Sequence, residues 1–282
     1  MTEQPPIRFE GQVVLVTGAG RGLGAAYARL FAERGAKVVV HDAGVAQDGS
    51  GFDRGVADAV AGEIVDAGGT AAACYDNLED TVAGAAIVDF AVGRFGRLDA
   101  LVHNAGLVMF ASLEETEPAL WKRMLAVGLD APFHLVRAAV PHMRRQGYGR
   151  IVLTTSGRAM RVEDCVPGLI AYSAAKMGQV GLMVGLAAEL GGAGIRVNSV
   201  SPVAATRVLR RAAPELRPEL VAPAVAFLAS SACDLSGVVI QAAGGRFRAA
   251  WWDRGQEIDL GPTPASPEDI AACWRAGGLA KR

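Results

Sequence analysis

The stretch Val13-Val14-Leu15-Val16-Thr17-Gly18-Ala19-Gly20-Arg21-Gly22-Leu23-Gly24 decides how the rest of the chain is read. Its first four residues are apolar, β-branched at three positions and too few for a helix, so they read as a buried strand. From Ala25 onward, Tyr27, Ala28, Leu30, Phe31 and Ala32 recur at helical spacing until Gly35 stops the pattern. Strand, tight turn and helix follow one another. Gly18, Gly22 and Gly24 permit the sharp bend and the close approach of helix to strand, while Gly20, Arg21 and Leu23 fill the rest of the turn. Open N–H groups at the positive end of a helix suit a pyrophosphate.

A second valine-rich run, Lys37-Val-Val-Val-His41, ends at Asp42. That is close to the roughly 20-residue offset at which an acidic side chain meets the ribose hydroxyls of a dinucleotide. A carboxylate there accepts from both hydroxyls and repels a 2′-phosphate, whereas Arg21 in the loop could pair with one. Asp42 sits where the distinguishing group must lie, so NAD is the expected cofactor.

Further strands are expected at Thr70–Tyr75, ending in Asp76 and Asn77, at Leu98–His103, ending in Asn104-Ala105-Gly106, and at Gly149–Ser156, Ile195–Val200 and Gly237–Ile240. Helical patterns separate most of them. One runs from Pro118 to about Arg145, interrupted by Gly128 and Pro132. Parallel strands need crossover helices, so the fold class is α/β: a single-domain, Rossmann-type doubly wound parallel sheet of about seven strands. The domain is expected to span residues 1–282, with a C-terminal extension from about residue 246. Ligands of such sheets bind beyond the C-terminal strand ends, where Gly18 to Gly24, Asp42, Asp76, Asn77, Asn104, Ala105 and Gly106 all fall.

Composition excludes other classes. The net charge is −1 and 51% of residues are hydrophobic, which gives no electrostatic footprint for nucleic acid and enough apolar material to cover both sheet faces. No leader-like or membrane-spanning apolar run occurs, so a soluble protein without membrane partners is expected. Cys74, Cys165, Cys233 and Cys273 are far apart and read as reduced thiols, and the histidines lack metal-ligand spacing.

Chemistry concentrates late in the chain. Ser156 ends a strand, and Tyr172 and Lys176, four residues apart, project from one face of the next helix. A phenol near pKa 10 is a poor base, but an adjacent ammonium and the positive nicotinamide favour its ionised form. Tyr172 is therefore expected to be the acid/base at the substrate oxygen, Lys176 the group that tunes it and contacts the ribose, and Ser156 the donor that steadies charge on that oxygen.

Together, Thr-Gly-x-x-x-Gly-x-Gly at 17–24, Asn-Ala-Gly at 104–106, Ser156 and Tyr-x-x-x-Lys at 172–176 resemble the short-chain dehydrogenase/reductase family. The resemblance implies hydride transfer between a secondary alcohol and a ketone, with Pro202 and Thr206 closing over the nicotinamide and a homodimer or homotetramer, Trp251 and Trp252 lying at a subunit contact. Within the family, the glycine loop, Asp42 and the segments Pro218–Leu228 and Ala243–Arg248 look like the hydroxyacyl-CoA dehydrogenase domains of peroxisomal β-oxidation. That points to a 3-hydroxyacyl-CoA; a steroid or other bulky alcohol is the alternative, and a cofactor-binding member with impaired catalysis another. The ending Leu279-Ala-Lys-Arg282 is not a peroxisomal address, so a cytoplasmic enzyme is expected.

Three positions depart from the family pattern. His103 replaces an Asn and reads as a side chain that hydrogen-bonds within its turn. Gly128 occupies the place of the Asn that orders water beside the lysine. Ser156 and Tyr172 are further apart than usual, which implies an insertion within Gly157 to Ile170. Arg207, Arg210 and Arg211 read as a solvated basic face of a substrate lid.

Overall fold

Valine and leucine runs become central strands here because a parallel sheet covered on both faces has no wet side to alternate with. A computed structural model describes residues 5–46, 48–205, 213–250, 252, 257, 259–260 and 264–275. The strands are β1 (Val13–Thr17), β2 (Lys37–His41), β3 (Thr70–Cys74), β4 (Ala100–His103), β5 (Gly149–Thr154), β6 (Ile195–Val203), β7 (Val239–Ala243) and β8 (Arg246–Ala250). They form one sheet in the order β3-β2-β1-β4-β5-β6-β7-β8. All residues of β1, β4 and β5 are buried.

The helices are α1 (Gly22–Glu33), α2 (Gly55–Asp66), α3 (Ala83–Phe95), α4 (Pro118–Leu125), α5 (Ala131–Gln146), α6 (Gly157–Met160), α7 (Ile170–Leu190), α8 (Ala222–Leu228) and α9 (Pro267–Arg275). The chain divides into two compact units, Met1–Ala249 and Ala250–Arg282. In the second, α9 opens on Ser266, whose backbone amide donates to the Asp269 carboxylate at 2.9 Å and whose hydroxyl accepts from the Asp269 amide at 3.1 Å. That reciprocal pairing is a capping box.

Successive strands are added outward on opposite sides of the boundary between β1 and β4. Thr17 pairs in register with His41 of β2 and with His103 of β4, so the ends of three strands meet at one edge. Asp99, buried just before β4, accepts from the Val13 amide at 2.8 Å and from Arg97 at 2.8 and 2.6 Å. A buried carboxylate with fewer donors would be costly; this one ties β4 to β1. Beneath the sheet Phe9 and Phe31 meet edge to face at 5.0 Å, and α1 packs Tyr27 and Phe31 into the core around Val14, Val16 and Val38.

Two details differ from the reading of the sequence. The eighth strand, β8, follows the Gly244-Gly245 turn, and four of its five residues are exposed, so it carries no hydrophobic signature. The long helix is not broken at Gly128: α4 and α5 join through a π-turn, Ala126–Asp130, directly before Ala131 and Pro132, the first two residues of α5.

Candidate active site

Gly18, with φ +63°, turns the chain out of β1. A Cβ on Gly24 would collide with the Gly18 carbonyl, so only glycine lets α1 sit this close to the strand. Arg21, at the α1 N-cap, makes no side-chain cap, which leaves the first amides of a twelve-residue helix open to an anion. Asn104 braces the turn by donating from Nδ2 to the carbonyls of Thr17 and Gly18 at 3.2 and 3.0 Å. The Thr17 hydroxyl accepts from the amides of Asn104 and Ala105 at 3.1 and 3.2 Å. Its hydrogen is thereby directed to Nδ1 of His103, 3.1 Å away, so His103 bonds to the end of β1 rather than within its own turn. Burial holds its imidazole down to about pKa 3, so it is neutral.

These walls enclose a cleft of about 250 Å³ lined by Gly18, Arg21, Gly22, Leu23, Asp42, Asn77, Asn104, Ala105 and Gly106 among others. Asp42 accepts from the amides of Gly20 and Gly44 at 3.0 and 2.8 Å. Arg21 donates to the Val45 carbonyl at 3.2 Å. Asp76 is not among the lining residues: its carbonyl takes a hydrogen bond from His41 at 2.8 Å and its carboxylate accepts from the Cys74 thiol. The glycine cradle, the open helix start and the flanking carboxylate fit a dinucleotide.

A second cleft of about 990 Å³ adjoins it, sharing Leu23, Asn104, Gly106 and Leu107. Ser156, Tyr172, Lys176 and Pro202 all line it. β5 delivers Ser156, whose Oγ accepts from the Arg158 amide at 3.3 Å, and α7 delivers Tyr172 and Lys176 on one face. The Ser156 hydroxyl is near enough to Tyr172 to favour its ionised form, and the Lys176 ammonium lies 5.9 Å from the Tyr172 ring centre. Lys176 is buried and donates to the Thr154 carbonyl at 2.7 Å; burial lowers its pKa to about 8.

In the protein alone the Tyr172 phenol is shifted up, because burial outweighs the opposing effects of the nearby Ser156 hydroxyl and the Arg158 charge. The ammonium, engaged with Thr154, does not reverse that shift by itself. The segment from Gly157 to Ile170 forms α6 and a 3₁₀ turn at Val162–Asp164, and places Arg158 and Asp164 on the cleft wall. Thr206, Arg207, Arg210, Arg211 and Trp251 lie outside the described residues. Among the described residues no cluster of acidic, cysteine or histidine side chains could hold a metal, and all four cysteines are free.

Three participants were not marked by any motif. Gln179, fully buried in α7, accepts from the Thr154 amide and donates to the Gly128 carbonyl. Arg123 of α4 reaches Glu79 at 2.7 Å and the carbonyls of Asp48 and Gly49 at 2.8 and 2.5 Å, over the nucleotide cleft. Arg158 is the third. Only the apolar spacing around Gln179, a lone amide on a buried helix face, hints at the first.

A family model for short chain dehydrogenases matches residues 12–215. The chain belongs to that family. It is an oxidoreductase by that membership, and its sheet is the family's doubly wound one. This short-chain dehydrogenase is 40% identical over 276 residues to a peroxisomal multifunctional enzyme type 2 of Drosophila melanogaster, covering 95% of this chain and 45% of that protein. It thus spans less than half the length of that relative. A putative short-chain type dehydrogenase/reductase of Mycobacterium tuberculosis is 38% identical over 272 residues, with 94% and 93% covered.

Among solved structures, a short chain dehydrogenase from Mycobacterium avium superimposes with a TM-score of 0.85 at 36% identity over 97% of both chains. Carveol dehydrogenase from Mycobacterium avium, solved with NAD, gives 0.73 at 28% identity over 84% of this chain and 97% of that one. A metagenomic short-chain oxidoreductase solved with NADP gives 0.67 at 36% over 78% and 91%. The family uses either nicotinamide cofactor. No helix among the described residues of this short-chain dehydrogenase is long and apolar enough to cross a membrane.

Proposed function

We propose that this short-chain dehydrogenase interconverts a secondary alcohol and a ketone with NAD. Ser156 and Tyr172, lining one cleft beside a buried ammonium and next to the glycine-walled one, carry the reading. Gly18, Gly20, Arg21, Gly22, Leu23, Gly24, Asp42, Asn77, Asn104, Ala105 and Gly106 would hold the dinucleotide, which supplies the two-electron hydride acceptor or donor.

The chain's own residues handle the proton. In the oxidation direction the Tyr172 phenolate takes the hydroxyl proton while Ser156 donates to the same oxygen; in reduction the phenol returns it. Lys176 stabilises the ionised phenol through space. A positioned acid/base contributes typically about 10² to 10⁴ in rate. Tyr172→Phe removes the group and leaves the packing, so NADH-dependent reduction of a carbonyl panel falls at least about a hundredfold while NADH still binds. Unchanged turnover in that variant overturns the assignment.

A 3-hydroxyacyl-CoA is the substrate class best supported. Arg158, Arg246 and Arg248 line the large cleft, and none of them makes an ion pair among the described residues. Unpaired guanidinium groups suit phosphate, and the peroxisomal relatives point the same way. A bulky neutral alcohol is the second reading, favoured by the apolar wall of Leu107, Val108, Phe110 and Leu169. Parallel assays with acetoacetyl-CoA and with steroid ketones separate the two. A homo-oligomer in the cytoplasm completes the proposal, and the mass in solution tests the first part.

A further inference from the structure

Gln179 has no solvent contact. A buried primary amide must find partners for both its ends, and this one does so across three elements. Its Oε1 accepts from the Thr154 amide at 3.1 Å, at the end of β5. Its Nε2 donates to the Gly128 carbonyl at 2.7 Å. That carbonyl belongs to the π-turn, where the shifted repeat frees helix carbonyls for outside donors.

Thr154 is therefore held at its N–H by Gln179, while its carbonyl, in the next peptide group, receives the Lys176 ammonium at 2.7 Å. Thr155 adds a hydroxyl donated to the Lys176 carbonyl at 2.8 Å. Position 128 has no room for a side chain, since a Cβ there would stand 2.8 Å from the Ala175 Cβ. The amide that reaches this corner comes from α7 instead.

We infer that Gln179 is a positioning residue: by tying the Thr154 N–H to the π-turn it fixes the residue whose carbonyl faces Lys176, and so holds the ammonium beside Tyr172. The inference rests on the role proposed above for Lys176. Burial already disfavours the charge on Lys176, so one oriented acceptor matters to it. The other titratable groups near the ammonium are Tyr172 on its own helix and His103 at the end of β4, the latter neutral.

The experiment reads Lys176 directly. Lys37, Lys122 and Lys281 are the other lysines of the sequence, so ¹³Cε-lysine NMR with a Lys176→Arg control assigns its signal in the whole, cofactor-free chain. Gln179→Met keeps the volume and loses both hydrogen bonds; the Lys176 midpoint falls by about one pH unit, the scale of one hydrogen bond to a charged group. Val180→Ala, a neighbouring core change, lowers the melting temperature without moving that midpoint. Gln179→Glu, which keeps an acceptor for the Thr154 amide, leaves Lys176 at or above its original midpoint and serves if the Met variant does not fold.

An unmoved midpoint in Gln179→Met, an equal fall in Val180→Ala, or a fall in Gln179→Glu overturns the inference. Reduction of acetoacetyl-CoA by NADH is followed in parallel. If the midpoint shifts as expected while the unaltered protein reduces no carbonyl, the positioning role stands and the proposed reaction fails.

Discussion

The Asp42 carboxylate accepts from the Gly20 amide at 3.0 Å, which joins the end of β2 to the glycine loop after β1. The group that would discriminate between cofactors thus also shapes the floor of the cleft. Asp42→Ala removes both effects: NADH affinity falls about tenfold or more, and the preference for NADH over NADPH narrows by about a hundredfold, because a negative charge no longer faces the 2′-phosphate. Fluorescence titration with each reduced cofactor measures it. An unchanged ratio would show that Arg21 dominates selection.

Arg123 fastens the loop after β2 through the carbonyls of Asp48 and Gly49 while pairing with Glu79. Part-exposed ion pairs contribute little to global stability, about 1 kcal/mol or less. Arg123→Ala accordingly leaves the melting temperature nearly unchanged, yet weakens NADH binding severalfold and speeds proteolytic nicking of residues 43–53. Equal nicking rates in the two proteins would refute the latch.

His103 gives an acid-side signature. Its folded pKa of about 3 lies below the 6.5 of an exposed imidazole. Between those values the unfolded chain binds a proton that the native state refuses, so stability is fully present above pH 6.5 and drains as pH falls towards 3. His103→Asn removes that linkage and flattens the slope by up to about 1.4 kcal/mol per pH unit. Urea unfolding at pH 4, 5, 6 and 7 reads the difference. His41, whose pKa burial also lowers, remains in both proteins and cancels.

Gly128 cannot simply be returned to the family's asparagine. A side chain there meets the Ala175 Cβ at 2.8 Å, and overpacking of this kind costs about 1–3 kcal/mol. Gly128→Asn lowers stability, and adding Ala175→Gly recovers part of the loss despite the helix penalty of glycine. A double-mutant cycle in thermal unfolding shows positive coupling if the contact is the cause. Additive losses would place the strain elsewhere.

Much of this arrangement was written locally. The strand, turn and helix of residues 13–34 declare themselves by period and by glycine, and Tyr172 and Lys176 share a helix face by spacing alone. β8 was hidden because it is short and exposed and follows directly on the Gly244-Gly245 turn, so no buried apolar run marks it. The π-turn was hidden because Gly128 and Pro132 look like interruptions in one dimension, whereas in three the extra residue lets one helix run into the next. Gln179 and Arg123 act across 51 and 44 to 75 positions of sequence, and no local pattern marks a partner so remote. The raised phenol of Tyr172 needed the balance between burial and charge, which spacing does not carry.

The switch in strand order between β1 and β4 also orders events at the ribosome. Val14 pairs with Ala100, and the lysine side chain that completes the corner waits for α7. An emerging N-terminal half can therefore build the nucleotide-facing strands but leaves one flank of β4 bare until β5 arrives. Such delayed, long-separation pairing slows folding and exposes an apolar ribbon meanwhile. A truncated product ending near residue 145 should be captured by chaperones, while one ending past β7 should not.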